Sequence, residues 1–219
     1  FVPNAEVDDL AWLPLTAARD RLSYEYDARV LDEFASGPAT TSALILVRHT
    51  SARGKKAWYD AGQPDDLTRP LTPRGQAQAE HLAELLSCFG PARVISSAAQ
   101  RCVATVEPYA TLAGTKVETE TALALAPAEP DGWAAATRQR IAAAWQRARA
   151  QRLIGDLATA GRPAVICAHR ENLPALLEWA CERLGTPVPH GPPLAKGSFW
   201  VLHVSAGRLV SAEQHHLGS

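Results

Sequence analysis

The chain lacks methionine, any C-x-x-C pair, an excess of charge of either sign, and any apolar run approaching the ~18 residues of a membrane-spanning helix. Each absence removes a class of function. Four cysteines, Cys88, Cys102, Cys167 and Cys181, stand apart in apolar surroundings. That spacing argues against a zinc site or a disulfide framework and predicts reduced core thiols in a cytoplasmic protein. With 22 basic and 23 acidic residues the net charge is −1. No general field therefore draws the protein to nucleic acid or to a membrane, and affinity for an anion has to come from local clustering. No repeat of fixed period is present. Without methionine and opening at Phe1, the sequence is expected to begin downstream of the native start, so the lack of a signal peptide says little about targeting. At 219 residues, 47% of them hydrophobic, the chain can hold one sizeable core and a piece of a second domain.

The run Leu44-Ile45-Leu46-Val47-Arg48-His49-Thr50 is too short for a helix and carries β-branched residues. It reads as a buried strand that delivers Arg48 and His49 to the sheet edge where open α/β sheets keep their sites. A neutral imidazole there is a nucleophile near pH 7, and the adjacent guanidinium offers a fork of donors for phosphate oxygens. Pro163 to His169 repeats the design, and Arg93 to Ser97 is a third strand, ending in Ser96-Ser97 shortly before Arg101.

Thr72 as N-cap and Pro73 at the first helical position open a helix with Leu82, Leu85, Leu86 and Phe89 on one face, closed by Gly90. Further helices are predicted over 100–112, over 133–160 with an interruption near Gly155, and over 172–184. A strand is predicted over 116–120, and a hairpin of 198–204 with 209–215 turning at Ala206-Gly207. The arginines at 138, 140, 147, 149 and 152 fall on several faces of the long helix and mark a solvated surface rather than a nucleic-acid patch. This alternation predicts a three-layer α/β/α sandwich with a mixed, mostly parallel sheet over 43–219. Residues 36–42, small and polar with Gly and Pro, read as a linker. Before it, Glu6 to Leu15 is expected to be a strand burying Trp12 and Leu13, followed by a helix from Thr16 to about Phe34. So short a piece cannot make its own core, so 1–35 reads as the tail of a larger domain. Thr50 to Arg69 reads as a long loop in which Arg53, Lys55, Lys56, Trp58 and Arg69 either clamp a substrate or are simply solvated.

Two imidazoles and two guanidiniums at neighbouring strand ends are what a transferring phosphoryl group needs, because its charge is spread over three oxygens. The order R-H (48–49), P-L-T-x-x-G (70–75), S-S-x-x-x-R-x-x-x-T (96–105) and a late strand ending in His169 resembles the histidine phosphatase (phosphoglycerate mutase-like) superfamily over about 43–217. The resemblance implies that His49 is the nucleophile, forming a phosphohistidine that water hydrolyses. Arg48, Arg101 and His169 would hold the phosphoryl oxygens, with no metal or cofactor in this domain. Thr50, Ser51, Lys55, Lys56 and Arg69 are the candidate phosphate or substrate contacts. The sequence departs from the family where Thr50 replaces the usual glycine and where Arg170-Glu171 follows His169. The general acid is then open between Glu120 and Glu171. His203, His215 and His216 read as structural or exposed.

The W-L-P-L run at 12–15 and the helix after it are similar to the C-terminal end of a Nudix hydrolase domain. The Nudix signature helix is not in this sequence, so Mg²⁺ is expected only in a missing Nudix half. The combination resembles the two-domain MutT-like nucleotide hydrolases. It implies a phosphatase for nucleoside di- and triphosphates, 8-oxo-guanine nucleotides included, whose whole protein also cleaves dinucleoside polyphosphates. The expected partners are the nucleotide substrate and the N-terminal Nudix domain, with a homo-oligomer left open. The alternatives are a phosphohistidine protein phosphatase and a non-catalytic domain that regulates or dimerises the Nudix half.

Overall fold

β1 (Ser42–Arg48) runs through the middle of a six-stranded sheet, with Ala43 to Val47 buried. An unbroken apolar run suits a strand covered on both faces, and alternate residues serve two cores. Ala43, Ile45 and Val47 join Leu82, Leu86 and Val106 on one side, while Leu44 and Leu46 join Ile154 and Leu176 on the other. The computed structural model describes residues 1–63, 65–125 and 133–217. The chain forms two compact units, Phe1–Thr40 and Thr41–Ser219, and the segment expected to link them, 36–42, spans that division.

Across the sheet lie β3 (Val117–Glu120), β2 (Arg93–Ser97), β4 (Ala164–Ala168), β1, β5 (Phe199–Ser205) and β6 (Arg208–His215), in that order. β3, β2, β4 and β1 are parallel, whereas β5 and β6 add antiparallel pairs. The hairpin turns on Ala206 and Gly207, both at positive φ, the backbone that matches strand twist in a two-residue turn. The helices α4 (Pro73–Ser87) and α5 (Gln100–Leu112) cover one face, and α6 (Trp133–Thr159) and α7 (Leu173–Leu184) the other. The mixed, mostly parallel three-layer α/β/α sandwich is thus present. The Thr72 hydroxyl accepts a hydrogen bond from Gly75 N at 3.1 Å, capping α4 as its sequence predicts.

Several local expectations are corrected. Residues Glu6 to Leu15 form no strand, and Trp12 is 93% exposed rather than buried. A strand needs a neighbour to pair with, and the first unit contains none. The single helix expected over 16–34 is two, α1 (Leu15–Arg21) and α2 (Glu25–Ser36), parted by extended Leu22 and Tyr24. Glu25 and Asp27 in the first turn of α2 favour a new helix N-terminus at that point. The long loop over 50–69 contains α3 (Lys55–Asp60), which buries Trp58, and a tight turn at Asp66–Thr68. α6 runs through Gly155 without interruption, and its arginines are exposed, Arg147 lying over the Trp179 ring at 5.3 Å. Cys102, Cys167 and Cys181 are buried free thiols, but Cys88 is exposed. Among the described residues no helix is long and apolar enough to cross a membrane.

Candidate active site

The parallel register sets the site. Arg48 pairs with Ala168 and Ser96 with Cys167, so β1, β4 and β2 end side by side and release His49, His169 and Ser97 at one level. His49 N donates to Ala168 O at 3.1 Å. The two imidazole rings stand 5.6 Å apart at 67°, and Arg101 reaches them from the first turn of α5. All four expected residues, Arg48, His49, Arg101 and His169, are brought together.

Each ring has a defined tautomer. His49 Nδ1 lies 2.7 Å from Thr50 O, and a carbonyl only accepts, so Nδ1 holds the proton and the Nε2 lone pair is free. Burial, opposed by this bond and reinforced by neighbouring His169 and the guanidiniums of Arg101 and Arg48, lowers the His49 pKa to about 3, and the ring is neutral at ordinary pH. Arg101 Nη2 lies 3.2 Å from His169 Nδ1. A guanidinium only donates, so His169 donates through Nε2 to Ser97 Oγ at 2.9 Å. Asn172 Oδ1 accepts from His169 N at 3.0 Å, and its amide donates to Leu123 O at 2.7 Å, pinning the turn after β4. Cys102 Sγ approaches both nitrogens of His169 at 3.7–3.8 Å. Burial opposes its ionisation, yet hydrogen bonding with Cys167 and His169 and the nearby positive charge bring its pKa down.

The guanidiniums are held by their outer nitrogens. Arg48 Nη1 donates to Leu194 O at 2.7 Å; Arg101, 1% exposed, gives Nη1 to Asp66 O at 2.7 Å and Nη2 to Asp66 Oδ2 at 2.8 Å. The inner Nε of each is buried and has no hydrogen-bond partner among the described residues. Such an orphan donor costs on the order of 1–3 kcal/mol, so two beside a neutral imidazole call for an anion. Asp66 also accepts from Arg69 Nε at 2.8 Å. Burial works against its charge, but Arg69 and Arg101 hold its carboxyl below the ordinary value.

The other expected contacts divide. Thr50 is fully buried, and its hydroxyl donates to Gly75 O at 2.8 Å while its N–H donates to Thr105 Oγ1 at 3.0 Å. It braces the loop after the nucleophile and does not face a substrate. Ser51 is half-buried, its N–H held by Gln78 Oε1 at 3.1 Å and its carbonyl by Thr72. Lys55 and Lys56 are exposed on α3; Lys56 pairs with Asp60 at 2.7 Å, and Lys55 lies over the Tyr59 ring. Arg69 is committed to Asp66 and to Arg53 O. Glu120 sits on the far edge strand β3, accepting from Ala122 N at 2.9 Å and pairing with Arg149 at 2.8 Å. Burial raises its pKa, yet these partners hold the carboxyl below its ordinary range, the reverse of what a general acid needs. Glu171 is exposed, and its charge favours the charged form of Arg48. Of the terminal histidines, His203 and His215 pair with Glu213, His215 stacks on Phe199, and His216 Nδ1 is 3.2 Å from Ser198 Oγ. Among the described residues no group of three or more metal-ligating side chains comes together.

Asp66, Asn172, Thr105, Gln78 and Gly75 were missed as contributors. Only Gly75 and Thr105 carried a signal, as fixed members of the two motifs. An alanine Cβ at Gly75 would lie 1.9 Å from Ser51 O, so the glycine lets α4 close onto the loop after His49.

The Histidine phosphatase superfamily (branch 1) matches residues 44–147. A curated protein of Mycolicibacterium smegmatis, 8-oxo-(d)GTP phosphatase, is 39% identical over 215 residues, 97% of this chain and 60% of that protein. An uncharacterised chloroplastic protein of Arabidopsis thaliana is 33% identical over 104 residues, 46% of this chain and 39% of that one. The chain thus spans less than two thirds of these relatives. Among solved structures, a mycobacterial glucosyl-3-phosphoglycerate phosphatase has a TM-score of 0.54 at 22% identity, covering 80% of this chain and 97% of its own. YhfR of Bacillus stearothermophilus scores 0.53 at 19% identity over 77% and 94%. Both show the fold alone. The strand ends that deliver Arg48, His49 and Arg101 to one sheet edge thus lie within the segment that the histidine phosphatase superfamily matches, and the fold is that of histidine phosphatase-like structures.

Proposed function

We propose that this domain hydrolyses the phosphoanhydrides of nucleoside di- and triphosphates, 8-oxo-guanine nucleotides among them, through a phosphohistidine and without a metal ion. The observation that carries the reading is the pair of buried, unpartnered Nε donors of Arg48 and Arg101 beside the free Nε2 lone pair of His49. Nε2 attacks phosphorus as the bond to the leaving oxygen breaks, and the guanidiniums take up the charge on the equatorial oxygens, while His169, tied to Ser97, holds Arg101 in place. Water then cleaves the P–N bond, giving inorganic phosphate and restoring His49. Asp66 is bound by two guanidiniums and Glu120 by Arg149, so neither is suited to protonate a leaving group. That favours an anhydride, whose leaving group departs as a phosphate anion.

An apolar cavity of about 250 Å³ under the Pro-rich segment 186–197 is lined by Leu173, Leu177, Leu194, Trp200 and Arg170. It adjoins the Arg48–Leu194 contact and offers a place for a nucleobase. The mycobacterial relative's name supports a guanine nucleotide. The same reading assigns 1–35 to the end of an upstream Nudix-like domain, which would hold Mg²⁺ and give the whole protein activity on dinucleoside polyphosphates. Its support is the greater length of that relative and the exposed Trp12, Tyr24, Tyr26 and Phe34, surface a larger domain would cover.

The test is phosphate release in EDTA from 8-oxo-GDP, GDP, GTP, GMP and a phosphohistidine peptide, by this chain and by His49→Ala. Release from the anhydrides that His49→Ala abolishes is expected. Preference for GMP would overturn the anhydride reading, preference for the peptide would move the substrate to a protein, and no release would leave a binding domain.

A further inference from the structure

We propose that Asp66 is a positioning residue for the phosphoryl site, anchoring Arg101 and through it the tautomer of His169. The inference rests on the phosphatase reading above. Arg101 is almost wholly buried, yet both of its outer nitrogens end on one residue of a different segment, at the Asp66 carbonyl and carboxylate. The other carboxylate oxygen is taken by Arg69, whose Nη1 in turn donates to Arg53 O. Asp66 therefore ties α5 to both ends of the 53–69 segment. That segment is itself built: Asp65 Oδ1 accepts from Leu67 N, and Trp58 Nε1 donates to Asp65 O at 3.0 Å.

The consequence for the site is directional. Nη1 and Nη2 both have partners in Asp66, Nη2 also donates to His169 Nδ1, and Nε is the buried nitrogen of Arg101 left without a partner among the described residues. A chain of donors thus runs from Arg69 and Arg101, both converging on Asp66, to His169 and Ser97. Without the carboxylate, a long guanidinium with several rotamers would be free to turn its fork toward the phosphoryl oxygens or away from them. The carboxylate replaces that choice with one geometry before substrate arrives.

Asp66→Asn keeps the size and the backbone carbonyl but removes the charge. It is expected to lower kcat/KM for GDP by up to about 10²-fold and to weaken orthovanadate binding, with the thermal midpoint little changed. In an Arg101→Ala background the same substitution should do nothing further, because Asp66 acts through Arg101. Asp66→Glu, which restores the charge, should recover part of the loss. Additive effects of the two substitutions would overturn the proposal, as would a gain of activity in Asp66→Asn, which would make the carboxylate a competitor of the substrate. Should the wild-type chain release phosphate from no substrate, the phosphatase reading fails by itself. Asp66 is then judged on orthovanadate alone: weaker binding by Asp66→Asn supports the anchoring role, and equal or tighter binding refutes it.

Discussion

His49 and His169 leave adjacent parallel strands, yet their ring nitrogens are tied in opposite ways. His49 donates its Nδ1–H to the Thr50 carbonyl and keeps Nε2 open, whereas His169 accepts from Arg101 and donates to Ser97. One ring is thereby set up to attack and the other to hold. Both residues were legible from the motif, but their tautomers were not, since each depends on a neighbour fixed by the fold. Thr50 shows the same limit from the other side. Its hydroxyl, in a place where the superfamily usually has glycine, seemed available to substrate; the fold spends it on Gly75 O and brings it within 3.2 Å of Thr105 Oγ1. Thr50→Val should cost about 1–2 kcal/mol in urea unfolding, because it leaves buried acceptors short of a donor, while KM for the substrate stays the same. A raised KM with unchanged stability would restore Thr50 to the substrate contacts.

At the level of elements, two glycines inside helices make opposite demands. Gly75, in the first turn of α4, has the Ser51 backbone where a Cβ would go. Gly75→Ala should destabilise by about 1–3 kcal/mol and slow turnover, because relief must come from moving the loop that follows His49. Gly155 lies well inside α6, and a Cβ there would meet only the Arg183 side chain at 3.6 Å, an ordinary contact. Gly155→Ala should raise stability by up to about 1 kcal/mol. Thermal melts of the two variants check both signs. The pair also shows where local signals read well and where they misled. Capping and apolar spacing are local and marked α4 and α5 correctly, but Gly155 looks like a breaker in any window. The strand expected over 6–15 failed because pairing is a property of the neighbour, not of the segment.

For the molecule as a whole, the buried site makes acid the expected direction of weakness. His49 titrates at about 3 in the folded chain against 6.5 in the unfolded one, so between those values the unfolded chain binds a proton that the folded one does not. Stability therefore rises with pH through that window and is lost on acidification, by at most about 1.4 kcal/mol per pH unit for this group. Asp66, whose carboxyl is held below 3.8, adds stability present above that value and lost as pH falls, in the same sense. Urea midpoints should fall between pH 7 and pH 4.5 and fall less in His49→Gln; a midpoint constant with pH would contradict the burial of a neutral His49. The sequence alone determined the buried strands, the helices that follow them, and the grouping of His49 with its three cationic or imidazole companions, because apolar period, caps and motif order are written along the chain. Only the tertiary structure decided which carboxylate meets Arg101. Asp66 lies 35 residues before Arg101 and Glu120 only 19 after it, but distance in space follows strand order. That order puts β3 and Glu120 at the far edge, while the 53–69 segment returns Asp66 to α5 beside β1 and β4.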